Sequence, residues 1–314
     1  NYDFDTLAVF GQIDTKLSGS LMLSAGLRLE ERETRYNDSA NVGFSPDDSL
    51  WGGKVSLEYS LTSDALAYVS VARGFKAGGF NTNGSLDEDL REFDEERLIE
   101  YELGYKSMLM GGNVGLQIAL FYDDRQDQQV KSSVVRVRPD NSAEFIDFFG
   151  NAAEGTNRGL EIDLQWSVTD SLGIGASAGW LDAEFDEFVN EFGEDLSGRD
   201  QAHAPRYMYS IRANWEKGPW TASLSADAKD EFYFSDRHAV RSSDYTLFNA
   251  SLSYHSDSWR VTAWGRNLTD EDYFVRAFGS FGNDPRKFYV TEPYYQFGEP
   301  RIIGMTFELT IQKQ

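Results

Sequence analysis

Apolar and polar residues alternate one by one through long stretches of this chain. The clearest stretch covers residues 21–30, where every odd-numbered residue is Leu or Ala and positions 24, 26, 28 and 30 are Ser, Gly, Arg and Glu. Because successive side chains of a β-strand point to opposite faces, this pattern predicts a strand with one apolar face and one polar face that meets water.

The alternation recurs in thirteen segments that are joined alternately by short and long connections. We predict strands near residues 5–16, 20–34, 50–61, 64–75, 95–109, 113–124, 157–168, 171–184, 205–215, 219–232, 244–255, 258–267 and 300–312. The short joins are rich in Gly, Ser, Asn and Asp, and they lie at 17–20, 61–64, 111–113, 169–171, 216–219 and 256–258. The long joins are 35–49, 76–94, 125–156, 185–204, 233–243 and 268–299. Short periplasmic turns and long extracellular loops are typical of barrels in the bacterial outer membrane.

A soluble β-sandwich would share the alternation, so other features must decide between the two architectures. Many of the predicted strands exceed the five or six residues usual in globular proteins and suit a tilted membrane crossing. Aromatic residues make up 14% of the chain, and Trp51, Trp220 and Trp259 lie at strand starts, as in an interfacial belt. The sequence therefore favours an all-β fold, a transmembrane antiparallel β-barrel.

Charge and residue types exclude several functions. The net charge of -23 argues against a nucleic-acid partner, since phosphate binding requires a basic surface. The acidic segment 182–204 has the carboxylates that Ca²⁺ prefers, but such runs are more often solvated loops, and we predict no metal site and no cofactor. Only three histidines are present, His203, His238 and His255, and none has a convincing catalytic partner in the sequence. We therefore predict that the chain is not an enzyme.

Several motifs resemble a known family. The segment VSVARGFKAGGFN at 69–81 closely resembles a signature of the barrel of TonB-dependent outer-membrane receptors. Further resemblances to this family, in its order, are EYELGYK at 100–106, NAAE with RGLEID between 151 and 163, GRNLTD at 265–270 with Tyr273, and GEPR at 298–301. The resemblance implies a barrel of about 22 strands. Residues 1–314 would then be the C-terminal portion of one barrel domain, with about 13 strands and with the plug domain outside the chain.

The resemblance also implies which motif residues are structural. A motif shared by receptors for different ligands is expected to shape the barrel rather than to contact the ligand. We assign this structural role to Arg73, Gly74, Phe75, Gly78, Gly79 and Asn267.

Active transport is the function that the resemblance implies. We expect an outer-membrane receptor of a Gram-negative bacterium that takes up a scarce ligand, an iron–siderophore complex or another metal chelate. Its partners would be outer-membrane lipid, lipopolysaccharide and a TonB-type energy-coupling protein. The alternatives are a passive porin of about 14 strands and a surface-exposed adhesive β-protein. An odd number of strands favours a larger barrel, since both ends of a complete barrel normally lie in the periplasm.

Candidate ligand contacts are the aromatic and cationic side chains that share the last two long loops, because such groups commonly bind organic anions. The candidates are Phe232, Tyr233, Phe234, Arg237 and His238 in one loop, and Tyr273, Arg276, Phe278, Phe281 and Tyr294 in the other. Packing of one loop on the other is the alternative explanation for both groups.

Overall fold

The fold is an extended antiparallel sheet. The computed structural model describes residues 2–38, 42–137, 143–190, 193–236, 239–281, 286 and 292–310. Arg237 and His238 lie outside this part, and for Phe278 and Phe281 only the backbone is described. In the described part, no helix is long and apolar enough to cross a membrane.

Eighteen strands are present among these residues. They are β1 (Tyr2–Lys16), β2 (Leu21–Asn37), β3 (Gly43–Phe44), β4 (Asp47–Thr62), β5 (Ala65–Lys76), β6 (Gly79–Phe80), β7 (Glu92–Phe93), β8 (Glu96–Leu109), β9 (Val114–Val137), β10 (Ala143–Thr169), β11 (Leu172–Phe188), β12 (Tyr207–Lys217), β13 (Trp220–Lys229), β14 (Tyr245–His255), β15 (Trp259–Arg266), β16 (Phe274–Phe281), β17 (Glu292–Phe297) and β18 (Ile302–Leu309). Two single turns of 3-10 helix lie at Glu88–Leu90 and Met110–Gly112.

Thirteen of these strands form one continuous sheet, in the order β1-β2-β4-β5-β8-β9-β10-β11-β12-β13-β14-β15-β18, with β3 added beside β2. They correspond one for one to the thirteen strands predicted from the alternation, and every neighbouring pair is antiparallel. All six predicted tight turns join neighbours. Within the described residues the sheet does not close, and β1 and β18 form its two open edges.

The register places an apolar row and a polar row on opposite faces of the sheet. Val69, Leu103, Leu120 and Leu160 pair across β5, β8, β9 and β10 on one face. Three of them are about half exposed, as expected for side chains that face lipid. On the other face, Lys106, Gln117 and Asp163 align in the same way across β8, β9 and β10. We call this polar side the inward face.

Two strands are much longer than the alternation predicts. The connection at 125–156 was expected to be a loop, but β9 continues to Val137 and β10 begins at Ala143, so most of it is a paired hairpin. Polar residues fill this stretch of β9, for example Gln128 and Gln129. The hairpin is held by its backbone ladder and by loops packed against it, neither of which produces a period of two in the sequence.

Three small apolar cores lie at the loop end of the sheet. One contains Phe185 and Phe188, both almost fully buried, with Val130 and Ala153. Another contains Leu86, Ile146 and Phe148, and the third contains Phe232, Phe234 and Ala277. Each core joins segments that are distant in sequence, so the long connections pack as folded structure on the ends of the strands.

Candidate ligand site at the loop end of the sheet

The first predicted ligand group lies mostly inside a loop core. Phe232 and Phe234 are 8% and 5% exposed, and their rings meet edge to face with centroids 5.1 Å apart. Phe274 and Val240 pack against this core. Phe274 opens the hairpin that carries most of the second predicted group, so the fold brings the two groups together. Buried rings such as these form a rigid base at the loop end of the sheet, and their exposed neighbours form the surface above it, which we call the mouth.

Tyr233 contacts two guanidinium groups through its ring. The guanidinium carbon of Arg199 is 4.1 Å from the centre of the ring, and that of Arg241 is 3.9 Å from it. Arg241 also forms an ion pair with Glu231 at 2.6 Å. The cation–π contact of Arg199 with this half-buried ring joins the connection after β11 to the connection after β13.

The same two connections share a partly desolvated carboxylate. The backbone N–H of Ala202 donates a hydrogen bond of 2.8 Å to Asp236. Burial raises the pKa of Asp236 above its ordinary value, although the bond from Ala202 and the positive charge of Arg199 act against the shift. The ring of His203 lies 5.6 Å from that of Phe232, which completes the contact between the two connections.

The second predicted group lies on and beside the hairpin of β16 and β17, which pairs with itself and not with the main sheet. Arg276 is exposed on β16, and the half-buried Tyr294 lies opposite the backbone of Phe278. Tyr273 lies just before the hairpin, with its ring 4.6 Å from that of Tyr245. Arg276 is therefore a surface cation on a hairpin that begins next to the paired rings of Tyr245 and Tyr273.

The acidic segment brings three carboxylates together. One oxygen from each of Asp182, Glu184 and Asp200 lies within 4.8 Å of the others. Arginines neutralise two of them, because Arg158 lies 2.6 Å from Asp182 and Arg206 lies 3.3 Å from Asp200. This compensation makes the cluster a network of ion pairs at the loop end of the sheet.

The motif residues at 73–79 allow neighbouring backbone segments to approach each other closely. Arg73 donates a hydrogen bond to the carbonyl oxygen of Trp51 and stacks over its ring at 4.2 Å. A Cβ on Gly78 would lie 2.6 Å from the carbonyl oxygen of Phe93, and one on Gly79 would lie 2.9 Å from the Phe93 ring. Gly78 therefore requires glycine for space, whereas a side chain at Gly79 would displace the Phe93 ring.

The neighbouring motif positions differ in how tightly they are packed. A Cβ on Gly74 would touch only Leu98, at 4.0 Å, so space alone does not require glycine there. Phe75 lies over Gly52, where a Cβ would meet the Phe75 ring at 3.3 Å.

Asn267 anchors the start of the last long connection. It is 3% exposed and adopts a φ of 47°, a conformation that Asn tolerates better than most residues. Its amide donates hydrogen bonds to the carbonyl oxygens of Glu271, at 2.9 Å, and Glu299, at 3.0 Å. Its side-chain oxygen accepts a bond from the N–H of Glu271. These contacts hold the chain where it leaves and re-enters the sheet.

Sequence reasoning did not single out three amides that fasten the connection at 77–95. Asn81 bonds the carbonyl oxygens of Leu90 and Phe149, and Gln129 bonds those of Ala77 and Asp94. Asn151 accepts a hydrogen bond from the backbone N–H of Asp94 and donates one to its carbonyl oxygen. Asn81 and Asn151 belong to the motifs at 69–81 and 151–154, whereas Gln129 carried no signal.

Residues 1–268 match the family described as TonB dependent receptor-like, beta-barrel. The chain belongs to the TonB-dependent receptor family. Proteins of this family are outer-membrane barrels of Gram-negative bacteria, which places this receptor barrel in the outer membrane. They are transporters, and the prediction that the chain is not an enzyme is confirmed.

The receptor barrel is similar in sequence to characterised receptors. It is 25% identical over 288 residues to the pesticin receptor of Yersinia pestis, covering 88% of this chain and 40% of the relative. It is 23% identical over 266 residues to the metal-pseudopaline receptor CntO of Pseudomonas aeruginosa, covering 82% of this chain and 33% of that protein. The chain thus spans 40% or less of the length of these relatives.

Solved structures share the fold. The ferric yersiniabactin uptake receptor FyuA from Yersinia pestis matches 98% of this chain and 46% of its own, with a TM-score of 0.78 and 21% identity. The siderophore receptor PiuA from Acinetobacter baumannii matches 98% of this chain and 43% of its own, with a TM-score of 0.74 and 16% identity. These likenesses confirm the prediction of a receptor-type antiparallel sheet.

Proposed function

We propose that this receptor barrel belongs to an active transporter that takes up a metal chelate, with an iron–siderophore complex as its ligand. The family match over residues 1–268 carries the proposal. Relatives named for siderophores and for a metal chelate support the substrate class. The relatives and solved structures named above are receptors, so they give the porin alternative no support.

We assign the ligand contacts to the mouth built around the third loop core. Arg276 is exposed on β16, Tyr294 lies on the paired strand β17, and Tyr273 immediately precedes this hairpin. Phe232, Tyr233 and Phe234 form the base, while Phe278 and Phe281 belong to the same hairpin. Arg237 and His238 follow this base in sequence and remain part of the proposed site. An anionic chelate with aromatic or apolar parts suits this mixture of side chains.

The remainder of the transporter is proposed from the two open edges. A row of unpaired backbone donors and acceptors is costly in lipid, so we propose that further strands of the same protein pair with the open edges at β1 and β18. We propose that residues 1–314 are the C-terminal portion of one barrel of about 22 strands. A plug segment of the same protein would contact the TonB-type coupling protein, and lipopolysaccharide would surround the barrel.

Uptake of radioactive iron by cells that carry the full-length receptor tests the proposal. We expect iron supplied as a siderophore complex to accumulate in these cells and to stop accumulating when a protonophore collapses the inner-membrane gradient. Surface binding should survive the protonophore, because only translocation needs the coupled energy. Accumulation that continues without the gradient would support a passive channel and contradict the proposal.

Site variants of the same receptor locate the ligand. Arg276→Gln and Tyr294→Ala should each weaken binding of the complex about tenfold, as expected for contacts at the centre of a binding site. Arg260→Gln is the matched control, since Arg260 is an exposed arginine next to a turn at the opposite end of the sheet. Equal binding by all three variants would contradict this placement.

A further inference from the structure

An arginine on the inward face of β9 holds a buried ion pair at the loop end of the sheet. Arg125 donates hydrogen bonds to Glu96, the first residue of β8, from Nε at 3.1 Å and also from Nη2. Glu96 is 8% exposed, and its second oxygen accepts a bond of 3.1 Å from the backbone N–H of Gln129. Both carboxylate oxygens are therefore occupied, and the planar guanidinium of Arg125 is fixed against the wall.

The remaining arm of this guanidinium leaves the wall and reaches a loop. Nη1 of Arg125 donates a bond of 3.2 Å to the side-chain oxygen of Gln201, in the connection after β11. The side-chain nitrogen of Gln201 donates to the side chain of Asn157 and to the carbonyl oxygen of Glu184, both at 3.0 Å. Gln201 is 7% exposed, so these bonds replace water at both ends of its amide. They tie the connection to β9, β10 and β11.

The backbone of β10 is shaped to admit the Gln201 side chain. The register of β10 shifts against both of its neighbours between Ala153 and Gly155. Irregularities of this kind commonly redirect side chains next to functional sites. A Cβ on Gly155 would lie 2.8 Å from the side-chain nitrogen of Gln201 and 2.9 Å from the carbonyl oxygen of Glu184. Glycine at this position therefore provides the space through which Gln201 meets Arg125.

The two residues after Gln201 carry the base of the mouth. The N–H of Ala202 donates to the side chain of Asp236 at 2.8 Å, and the N–H of His203 donates to the carbonyl oxygen of Tyr233 at 2.8 Å. Tyr233 is part of the aromatic base in the connection after β13. This base is thus bonded to the connection after β11, which is bonded to the wall through Gln201.

We propose that Arg125 is a positioning residue of the ligand site, which sets through Gln201 where the base of the mouth lies relative to the barrel wall. The inference rests on the proposed transport function, because that function makes the mouth a ligand site. Arg125 acts without touching the ligand, since Glu96 balances its charge and Gln201 occupies its remaining arm. Breaking the bond leaves the buried oxygen of Gln201 without this donor, so the connection is expected to shift to a position that satisfies it.

A distance between two spin labels measures this placement in the purified full-length receptor without any ligand. Residues 1–314 contain no cysteine, so Asp170→Cys and Ala239→Cys supply the two labelling sites, with any cysteine outside these residues changed to serine. Asp170 is exposed in the turn between β10 and β11, and Ala239 is exposed in the connection after β13. Pulsed electron paramagnetic resonance then reports the position of the mouth relative to the wall.

Two variants break the bond in different ways. Arg125→Lys keeps a positive charge for Glu96 but lacks the planar fork that also reaches Gln201, and Gln201→Leu keeps side-chain volume without the amide. Each should shift or broaden the distance distribution. The temperature at which the folded receptor loses its heat-modifiable electrophoretic mobility should stay near the unmodified value in Arg125→Lys, because the buried ion pair is retained. A purely structural role would change this temperature and leave the distances of the folded receptor unchanged.

Arg158→Lys is the matched control. Arg158 pairs with Asp182 through the same two nitrogens, Nε at 3.0 Å and Nη2 at 2.6 Å, but it lies on the outward face of β10. Its distance distribution should match that of the unmodified receptor. Unchanged distributions in Arg125→Lys and Gln201→Leu, or an equal change in Arg158→Lys, would overturn the inference. Because no ligand takes part, a failure of energy-coupled iron uptake would contradict the proposed function and leave the link between wall and mouth standing.

Discussion

The carboxylate of Asp236 is largely shielded from water, so the contact between the connections after β11 and β13 depends on pH. Because the pKa of Asp236 is raised in the folded loops, they bind more protons than opened loops do above the ordinary pKa of 3.8. The contact between the connections after β11 and β13 should therefore be strongest at low pH and weaken as pH rises through the folded pKa. The protection factor of the Ala202 amide in hydrogen exchange should fall accordingly.

Two variants at this position separate ionisation from hydrogen bonding. Asp236→Asn cannot ionise but can still accept the Ala202 bond, so its protection factor should stay constant across that range and exceed that of the unmodified receptor at pH 7. Asp236→Ala lacks the acceptor and should lose about 1 kcal/mol of local stability at either pH. A protection factor in the unmodified receptor that rises with pH would contradict the argument.

Single residues also show where sequence reasoning stops. It identified Phe232 and Phe234 as aromatic residues in a loop, but their depth depends on Ala277 and Val240, which reach them only through the fold. Gln129 gave no signal at all, because a buried amide looks like any polar loop residue until its carbonyl partners are known. Asn81 stood only as the last residue of the motif at 69–81, which says nothing of its carbonyl partners. Asn267 was singled out through its motif, while its two carbonyl partners belong to different segments.

At the scale of strands, glycine on one strand makes room for a ring on its neighbour. A Cβ on Gly104 of β8 would lie 2.1 Å from the ring of Tyr68 on β5, so the ring lies flat against the wall across Gly104. Gly104→Ala should force Tyr68 away from the wall and destabilise the barrel by about 1–3 kcal/mol. The temperature at which the folded receptor loses its heat-modifiable mobility measures this effect.

Gly179 provides the control for that substitution. It lies on the inward face of β11, and a Cβ there would meet nothing within 4 Å. Gly179→Ala should leave the transition temperature unchanged or slightly raised, since alanine restricts the unfolded chain more than glycine does. If both alanine variants lowered the temperature equally, the loss would reflect glycine in general rather than the Tyr68 contact.

Strands were predictable wherever their two faces meet different surroundings. Apolar and polar residues alternate at 21–30 and 99–106 because one face of each strand meets lipid and the other meets water. This difference in surroundings produces the period of two in the sequence. In the halves of β9 and β10 that fill the connection at 125–156, the period disappears although the backbone pairing continues. The short strands of the connections, such as β6 and β7, depend on side-chain anchors from distant residues.

At the scale of the whole molecule, the two faces of the sheet contact two different solvents, lipid outside and water inside. The alternation predicted the order of the strands in the sheet, and the motifs predicted the family. Among the described residues, no strand pairs with the open edges at β1 and β18. The outward row that includes Leu103 and Leu120 is about half exposed without lipid. Its exposure is tolerable only in a membrane, and this gives a direct test of the assignment of faces.

The same substitution on opposite faces should have opposite consequences. Leu103→Arg places a charge in the outward apolar row and should destabilise the barrel by about 2–4 kcal/mol, the cost of an arginine near the middle of the bilayer. Gln117→Arg places the same charge on the inward face, one strand away and near Asp163, and should change stability by less than about 0.5 kcal/mol. Reversible urea unfolding of the full-length receptor in lipid vesicles, followed by tryptophan fluorescence, gives both free energies. A greater loss for Gln117→Arg than for Leu103→Arg would mean that the apolar row faces the lumen.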